Sequence, residues 1–305
     1  MKNKWILITL LVIAVAAAYW FGKPGGSGNK ELGIAADELT SEILAYGPRP
    51  PGSDELTKVK SHLAKELEAN GWITQLQEFE RDTPIGKVKF SNLRARIAVE
   101  TTDTWELDVK GILCAHIDSK YFKDKEFLGA DDAASACAAV VVIANYLALH
   151  DREQAEQLEL VFFDGEEAFA RDMTILDGLY GSRHYANQWR TLPNKPKFGI
   201  LLDMIGHKDL SIRIPADSPE DLSKRMFEAA KKEGVSRRFG TAPGSIMDDH
   251  VPLNLVGIPT LDIIGDFSNK PWWHTPGDNE AIISAESLGI SIGVVLRMLD
   301  GLLED

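Results

Sequence analysis

Short apolar runs alternate along this chain with longer stretches whose apolar positions recur every three or four residues. Residues 31–46 and 53–70 carry the helical spacing, with Ser53 as the N-cap of the second, and GPRPPGS (47–53) imposes a turn or extended loop between them. Residues 72–79 and 87–99 read as an antiparallel pair joined across TPIG (83–86). From there strand and helix alternate. Strands are predicted at 109–116, 158–164, 198–205 and 258–264, and helices at 133–150, 180–189, 218–233 and 285–303, the third with Ser218 and Glu220 at its start. A short turn or helix covers 251–256, and 267–278 is an irregular loop. This alternation predicts an α/β single domain with a central mixed, mostly parallel sheet flanked by helices on both faces.

The run LELVFFDGEEAF (158–169) carries the strongest chemical signal. Leu158, Leu160, Val161, Phe162 and Phe163 suit a strand buried on both faces, so Asp164, Gly165, Glu166 and Glu167 fall at the sheet edge where open α/β folds bind ligands. Adjacent carboxylates repel and need a cation or a shared proton, which suggests that one holds a metal while the other handles protons. A lone Glu-Glu pair is ordinarily a solvated loop. Here, however, other apolar runs end in the same residue types. His116 and Asp118 follow a strand two residues apart, on one face, where Asp118 can orient His116 as a ligand. Asp131 and Asp132 open a helix, and one of them reads as an ordinary cap. Asp203 closes another strand, and Asp248 and His274 lie in loops. His116, Asp132, Glu166, Glu167, Asp203, Asp248 and His274 are all oxygen or nitrogen donors. An Asp, a Glu and a His with an open fourth position suit catalytic zinc, whereas calcium wants more oxygen ligands and no imidazole.

Composition narrows the partners. A net charge of -13 over 305 residues argues against nucleic acid or an anionic membrane surface, since phosphate binding needs a basic stripe. Residues 1–21 begin with Lys2 and Lys4 and continue without charge from Trp5, as a signal peptide or a membrane anchor. Tyr19, Trp20 and Phe21 suit a membrane interface, Ala16 to Ala18 a cleavage site. Either reading places the remainder outside the cytoplasm, touching a membrane through this segment alone. Residues 22–30 read as a flexible linker, and 31–305 as the catalytic domain. Cys114 and Cys137 admit either one disulfide or two small buried apolar side chains.

The motifs HIDSKYF (116–122), GADDAASAC (129–137), FFDGEEAF (162–169), LYGSRH (179–184), LLDMIG (201–206), DDHVP (248–252) and WHT (273–275), with GPRPPGS and KFSN (89–92), resemble the glutaminyl-peptide cyclotransferases, or glutaminyl cyclases, of the zinc aminopeptidase-like (M28-type) superfamily. The resemblance extends from about residue 40 to the C-terminus. It implies one zinc held by Asp132, Glu167 and His274, with Glu166 as the proton-transferring carboxylate. Asp203 and Asp248 match the carboxylates of its proton network, Trp273 a pocket tryptophan, and Phe267, more loosely, a pocket phenylalanine. The implied substrates are peptides or proteins with N-terminal glutamine, cyclised to pyroglutamate with release of ammonia.

The chain departs from the eukaryotic cyclases in three places. Ala170-Arg171-Asp172 stands where they carry a further tryptophan, Met247 replaces a glutamine, and Cys114 lies one residue from the expected disulfide partner of Cys137, a shift that reverses a strand side chain. The rival enzyme reading is a di-zinc aminopeptidase of the M28 type, with Asp132 bridging, His116 and Asp203 as added ligands, and Glu166 deprotonating a metal-bound water. A third reading is a binding domain that holds a metal or peptide without turnover.

Overall fold

The computed structural model describes residues 27–99, 103–174 and 176–304, so the expected signal or anchor at 1–21 lies outside the described residues. Six strands form the main sheet in the order β1-β2-β4-β3-β5-β8. They are β1 (Trp72–Thr83), β2 (Gly86–Ile97), β3 (Gly111–His116), β4 (Leu158–Phe163), β5 (Phe198–Asp203) and β8 (Thr260–Ile264). β3, β4, β5 and β8 pair in parallel, while β2 runs antiparallel to both β1 and β4. The mixed, mostly parallel sheet is therefore as the alternation predicts, with the hairpin as its mixed edge. From β3 the chain steps to β4 on one side, then crosses back to β5 on the other. Such a reversal opens a crevice at the carboxyl ends of the strands.

Helices cover both faces. On one side α1 (Ser27–Leu44), α3 (Ala136–His150) and α8 (Ala285–Glu304) pack over a hydrophobic cluster running from Leu32 to Leu303. On the other, α5 (Tyr180–Gln188) and α7 (His250–Leu255) cover Ile112, Cys114, Val161, Phe163 and Leu201. Helix α2 (Asp54–Glu68) starts at the expected cap, with Ser53 accepting from the N–H of Leu56. The apolar stretch Ala130–His150 is long enough to cross a membrane, but it is mostly buried inside the fold as its core helix.

Several expectations need correcting. Residues 27–30, assigned to the linker, already belong to α1. Glycines let α1 lie directly on α8: a Cβ at Gly33 would come within 2.1 Å of Ala285 O, and one at Gly289 within 2.4 Å of Asn29 O. Neither Asp131 nor Asp132 caps a helix. Residues Ala130–Ser135 form a wide turn with non-helical backbone at Asp132 and Ala133, and regular helix begins at Ala136. Asp131 instead accepts from Ser135 Oγ at 2.9 Å and Gly206 N at 2.7 Å. Helix α6 (Glu220–Lys232) has Pro219 at its N-cap and no side-chain cap from Ser218. The remaining helix, α4 (Arg152–Glu156), and the small parallel pair β6 (Ile212–Ile214) and β7 (Phe239–Thr241) were not anticipated; three-residue strands leave too little periodicity to read.

Cys114 and Cys137 are free and buried. Cys114, on β3, points into the cluster under α5 and α7, whereas Cys137, on α3, packs in the cluster on the other face of the sheet.

Candidate active site

The reversal in strand order gathers the predicted donors. His116 ends β3, Glu166 and Glu167 follow β4, and Asp203 ends β5. Asp132 comes from the turn before α3, and His274 from the loop after β8. His274 Nε2 lies 3.2 Å from Glu167 Oε1 and 3.5 Å from Asp132 Oδ2. These three donors form one candidate metal set. Zinc–ligand bonds of 2.0–2.2 Å in a tetrahedron imply donor separations of about 3.3 Å, and the set matches. Glu167 Oε1 is buried and makes no hydrogen bond, which suits an oxygen that would ligate a metal.

A second set shares Asp132. His116 Nε2 is 3.1 Å from Asp132 Oδ1 and 3.5 Å from Asp203 Oδ1. Asp132 thus directs one oxygen to each set.

The surrounding hydrogen bonds hold these side chains in place. Asp118 was expected to orient His116, but its Oδ1 is 3.6 Å from His116 Nδ1, too far for a hydrogen bond. It accepts instead from the backbone N–H groups of Gly165, Glu166 and Glu167 at 2.9, 3.1 and 3.2 Å. The residue expected to orient the histidine therefore anchors the Glu-Glu loop. Lys120 donates to Glu167 Oε2 at 3.1 Å and to Ala168 O at 3.0 Å. Asp278 accepts from the N–H of Asp131 at 2.8 Å and of Asp132 at 3.2 Å, fixing the turn that presents Asp132. Arg49, fully buried, donates to the carbonyls of Ile117, Leu128 and Gly129, tying the 117–129 segment to the GPRPPGS loop. His274 sits in the left-handed region at φ 53°, and its carbonyl accepts from Lys125 at 2.7 Å.

Burial dominates the electrostatics. It pushes the Glu166 carboxyl well above its ordinary range, with Glu167, Asp248 and Asp249 adding to the rise against His116. Burial also lifts Asp203 to about 8, again opposed by His116. For His274 burial opposes the charged form, yet Asp132 and Glu167 hold its pKa at about 9. Burial would raise Asp132 too, but the two histidines keep it below its ordinary value. Positive charge at this centre stabilises the carboxylates, a role that a divalent cation fills more fully.

The mouth is aromatic. Trp273 stacks on His274 with centroids 4.0 Å apart, and Phe267 tilts against Trp273 at 4.9 Å. Phe122 and Phe127 present edges to the same imidazole at 6.4 and 5.9 Å. Ala170, Arg171 and Asp172 are exposed, and Met247 is 48% exposed, so both substituted positions leave open surface.

Asp248 joins this neighbourhood through its charge on Glu166 and Asp203. Lys120, Asp262 and His250 are buried polar groups at or near the site to which sequence reasoning assigned no role, and Asp118 has a different role from the one expected. Asp262 had a readable signal, a lone carboxylate within the apolar strand TLDII.

A mixed sheet bearing an Asp–Glu–His set at its carboxyl edge, with a buried carboxylic acid beside it, defines an aminopeptidase-like α/β enzyme. The sequence model of Peptidase family M28 matches residues 96–299. A glutaminyl-peptide cyclotransferase of Gloydius blomhoffii is 30% identical over 283 residues, covering 80% of this chain and 74% of that protein. The crystal structure of an Acidobacteriales bacterium glutaminyl cyclase superposes with a TM-score of 0.78 at 31% identity, covering 89% of this chain and 94% of the other. A Zn-dependent exopeptidase from Parabacteroides distasonis superposes with a TM-score of 0.78 at 25% identity, covering 91% and 99%. The chain belongs to peptidase family M28 and, within it, to the glutaminyl-peptide cyclotransferases.

Proposed function

We propose that this chain is a zinc-dependent enzyme that converts the N-terminal glutamine of peptides or proteins to pyroglutamate, releasing ammonia. The observation that carries this reading is the compact Asp132–Glu167–His274 donor set with the buried Glu166 carboxyl next to it, which burial makes the stronger base. Zinc held by that set supplies Lewis-acid polarisation of the substrate's γ-carboxamide. The chain's own residues do the rest. As the α-amine nitrogen bonds to the δ-carbon, Glu166 takes one proton from that nitrogen and delivers it to the departing amide nitrogen, which leaves as ammonia. Asp248 holds the amine, and Asp203 shares the charge of the acidic network. Ring closure is intramolecular, so orientation supplies much of the rate. Trp273 and Phe267 form the apolar lip over the glutamine side chain and exclude water.

The second donor set supports one rival, a di-zinc aminopeptidase using His116 and Asp203 with a shared Asp132. The test is to incubate the enzyme with a glutaminyl peptide and a leucyl peptide. Ammonia without chain shortening is the expected result; free leucine overturns it. Placement outside the cytoplasm, either anchored through residues 1–21 or secreted after their cleavage, rests on the composition of that segment.

A further inference from the structure

His274 supplies its donor to the Asp132–Glu167–His274 set from a loop, outside any helix or strand. A histidine ligand is ordinarily fixed by a hydrogen bond to its other ring nitrogen. Among the described residues, the polar contacts of His274 are those of Nε2 with Asp132 and Glu167 and of its carbonyl oxygen with Lys125, so Nδ1 makes none. The ring is oriented by packing instead. Trp273 stacks on it, and Phe122 and Phe127 meet it in T-shaped contacts. The backbone beneath it sits at φ 53°, a conformation that costs a residue with a β-carbon free energy and persists where surrounding contacts hold it.

Lys125 makes such a contact. Its Nζ donates to His274 O at 2.7 Å and lies 3.7 Å from the centroid of the Phe122 ring. The ammonium is therefore seated on an aromatic face and aimed at the carbonyl of the strained residue. Lys120, on the same segment, holds Glu167. We propose that Lys125 is a positioning residue for the metal: its ammonium fixes the backbone of His274 so that Nε2 faces Asp132 and Glu167. This role rests on the reading of those three residues as the zinc site. Lys125 acts through a carbonyl, so its removal takes away no donor atom. A lysine that served only to offset the acidic centre would be matched by Lys123, which is exposed on the same loop and makes no such contact.

Zinc affinity of the full chain is measured by chelator competition for wild type, Lys125→Met, Lys125→Arg and Lys123→Met, and the cobalt-substituted forms are compared by visible absorption. Lys125→Met should bind zinc about 10- to 100-fold more weakly and shift the cobalt bands, which report ligand geometry. Lys125→Arg keeps a donor and a cation over Phe122 and should recover the affinity. Lys123→Met should match wild type in both readouts. Wild-type affinity and cobalt bands in Lys125→Met, or an equal loss in Lys123→Met, would overturn the proposal, because the contact would then only tether a loop or the lysines would act by charge alone. His274→Ala checks the underlying site separately. It should lose the ion, and wild-type zinc binding in that variant would remove the donor set and this role with it.

Discussion

Lys120 Nζ lies 3.1 Å from Glu167 Oε2, leaving Oε1 to face His274 Nε2 at 3.2 Å. One oxygen of the carboxylate is held by an ammonium, so the other has a fixed direction. Partners of this kind orient metal ligands, and their loss ordinarily costs 10- to 100-fold in metal affinity. Lys120→Ala should weaken zinc binding by about that factor, measured by chelator competition. Activity should return at saturating zinc, because no reacting atom has been removed. If affinity is unchanged, Lys120 serves only to neutralise charge.

Glu166 and Glu167 are neighbours in sequence with opposite assignments, and substitution separates them. Glu166→Gln keeps the shape of the side chain but cannot carry a proton between two nitrogens. It should lower kcat by about 10²- to 10⁴-fold while metal content stays at the wild-type level. Glu167→Gln should lose the metal itself. Equal metal loss in both variants would remove the distinction between base and ligand.

Glu159 is the charged residue in the apolar run of β4, and it is fully buried. Its carboxylate accepts from Arg94 Nε at 2.7 Å, Arg96 Nε at 2.8 Å and Tyr185 Oη at 3.1 Å. Removing it leaves two guanidinium groups in the interior without their counter-charge. Glu159→Ala should destabilise the fold by about 3–5 kcal/mol in urea unfolding. The residue sits near the amino end of β4, away from the acidic edge, so folded protein should keep its kcat. A loss below about 1 kcal/mol would mean that water reaches the arginines.

These residues also show where sequence reading succeeds and where it stops. The strand ends carrying His116, Glu167 and Asp203 were legible, because an apolar run that stops at an acid or imidazole marks both the strand and its edge. Asp132 and His274 were legible as donors, but it was the resemblance that joined them to Glu167 as one ligand set, because no periodicity ties them to β4. Lys120 and Asp118 stand inside the quoted HIDSKYF motif, but their hydrogen-bond partners belong to a loop more than forty residues away, and only folding reveals that pairing. Asp131 and Asp132 looked like caps because an acid before a helical pattern usually is one. Here tertiary hydrogen bonds from Gly206 to Asp131, and from the Asp131 and Asp132 N–H groups to Asp278, displaced the local preference.

Asp164, the first acid after β4, offers a pH test outside the proposed metal ligands. It is fully buried, with Oδ2 2.6 Å from Lys60 Nζ and accepting from Ser91 N at 2.7 Å. Burial raises its pKa from 3.8 to about 6 even though Lys60 opposes the rise. The folded state therefore holds this proton more tightly than the unfolded chain does. The associated stability is fully present below about pH 4 and is lost as pH rises through about 6. A displacement of that size corresponds to on the order of 3 kcal/mol. Asp164→Asn keeps an acceptor for Lys60 but does not titrate. The stability of wild type minus that of the variant, from urea unfolding, should fall by up to about 3 kcal/mol between pH 4 and pH 7.5. Parallel stability curves across this window would show that Lys60 compensates Asp164 completely and that the pair is ionised throughout.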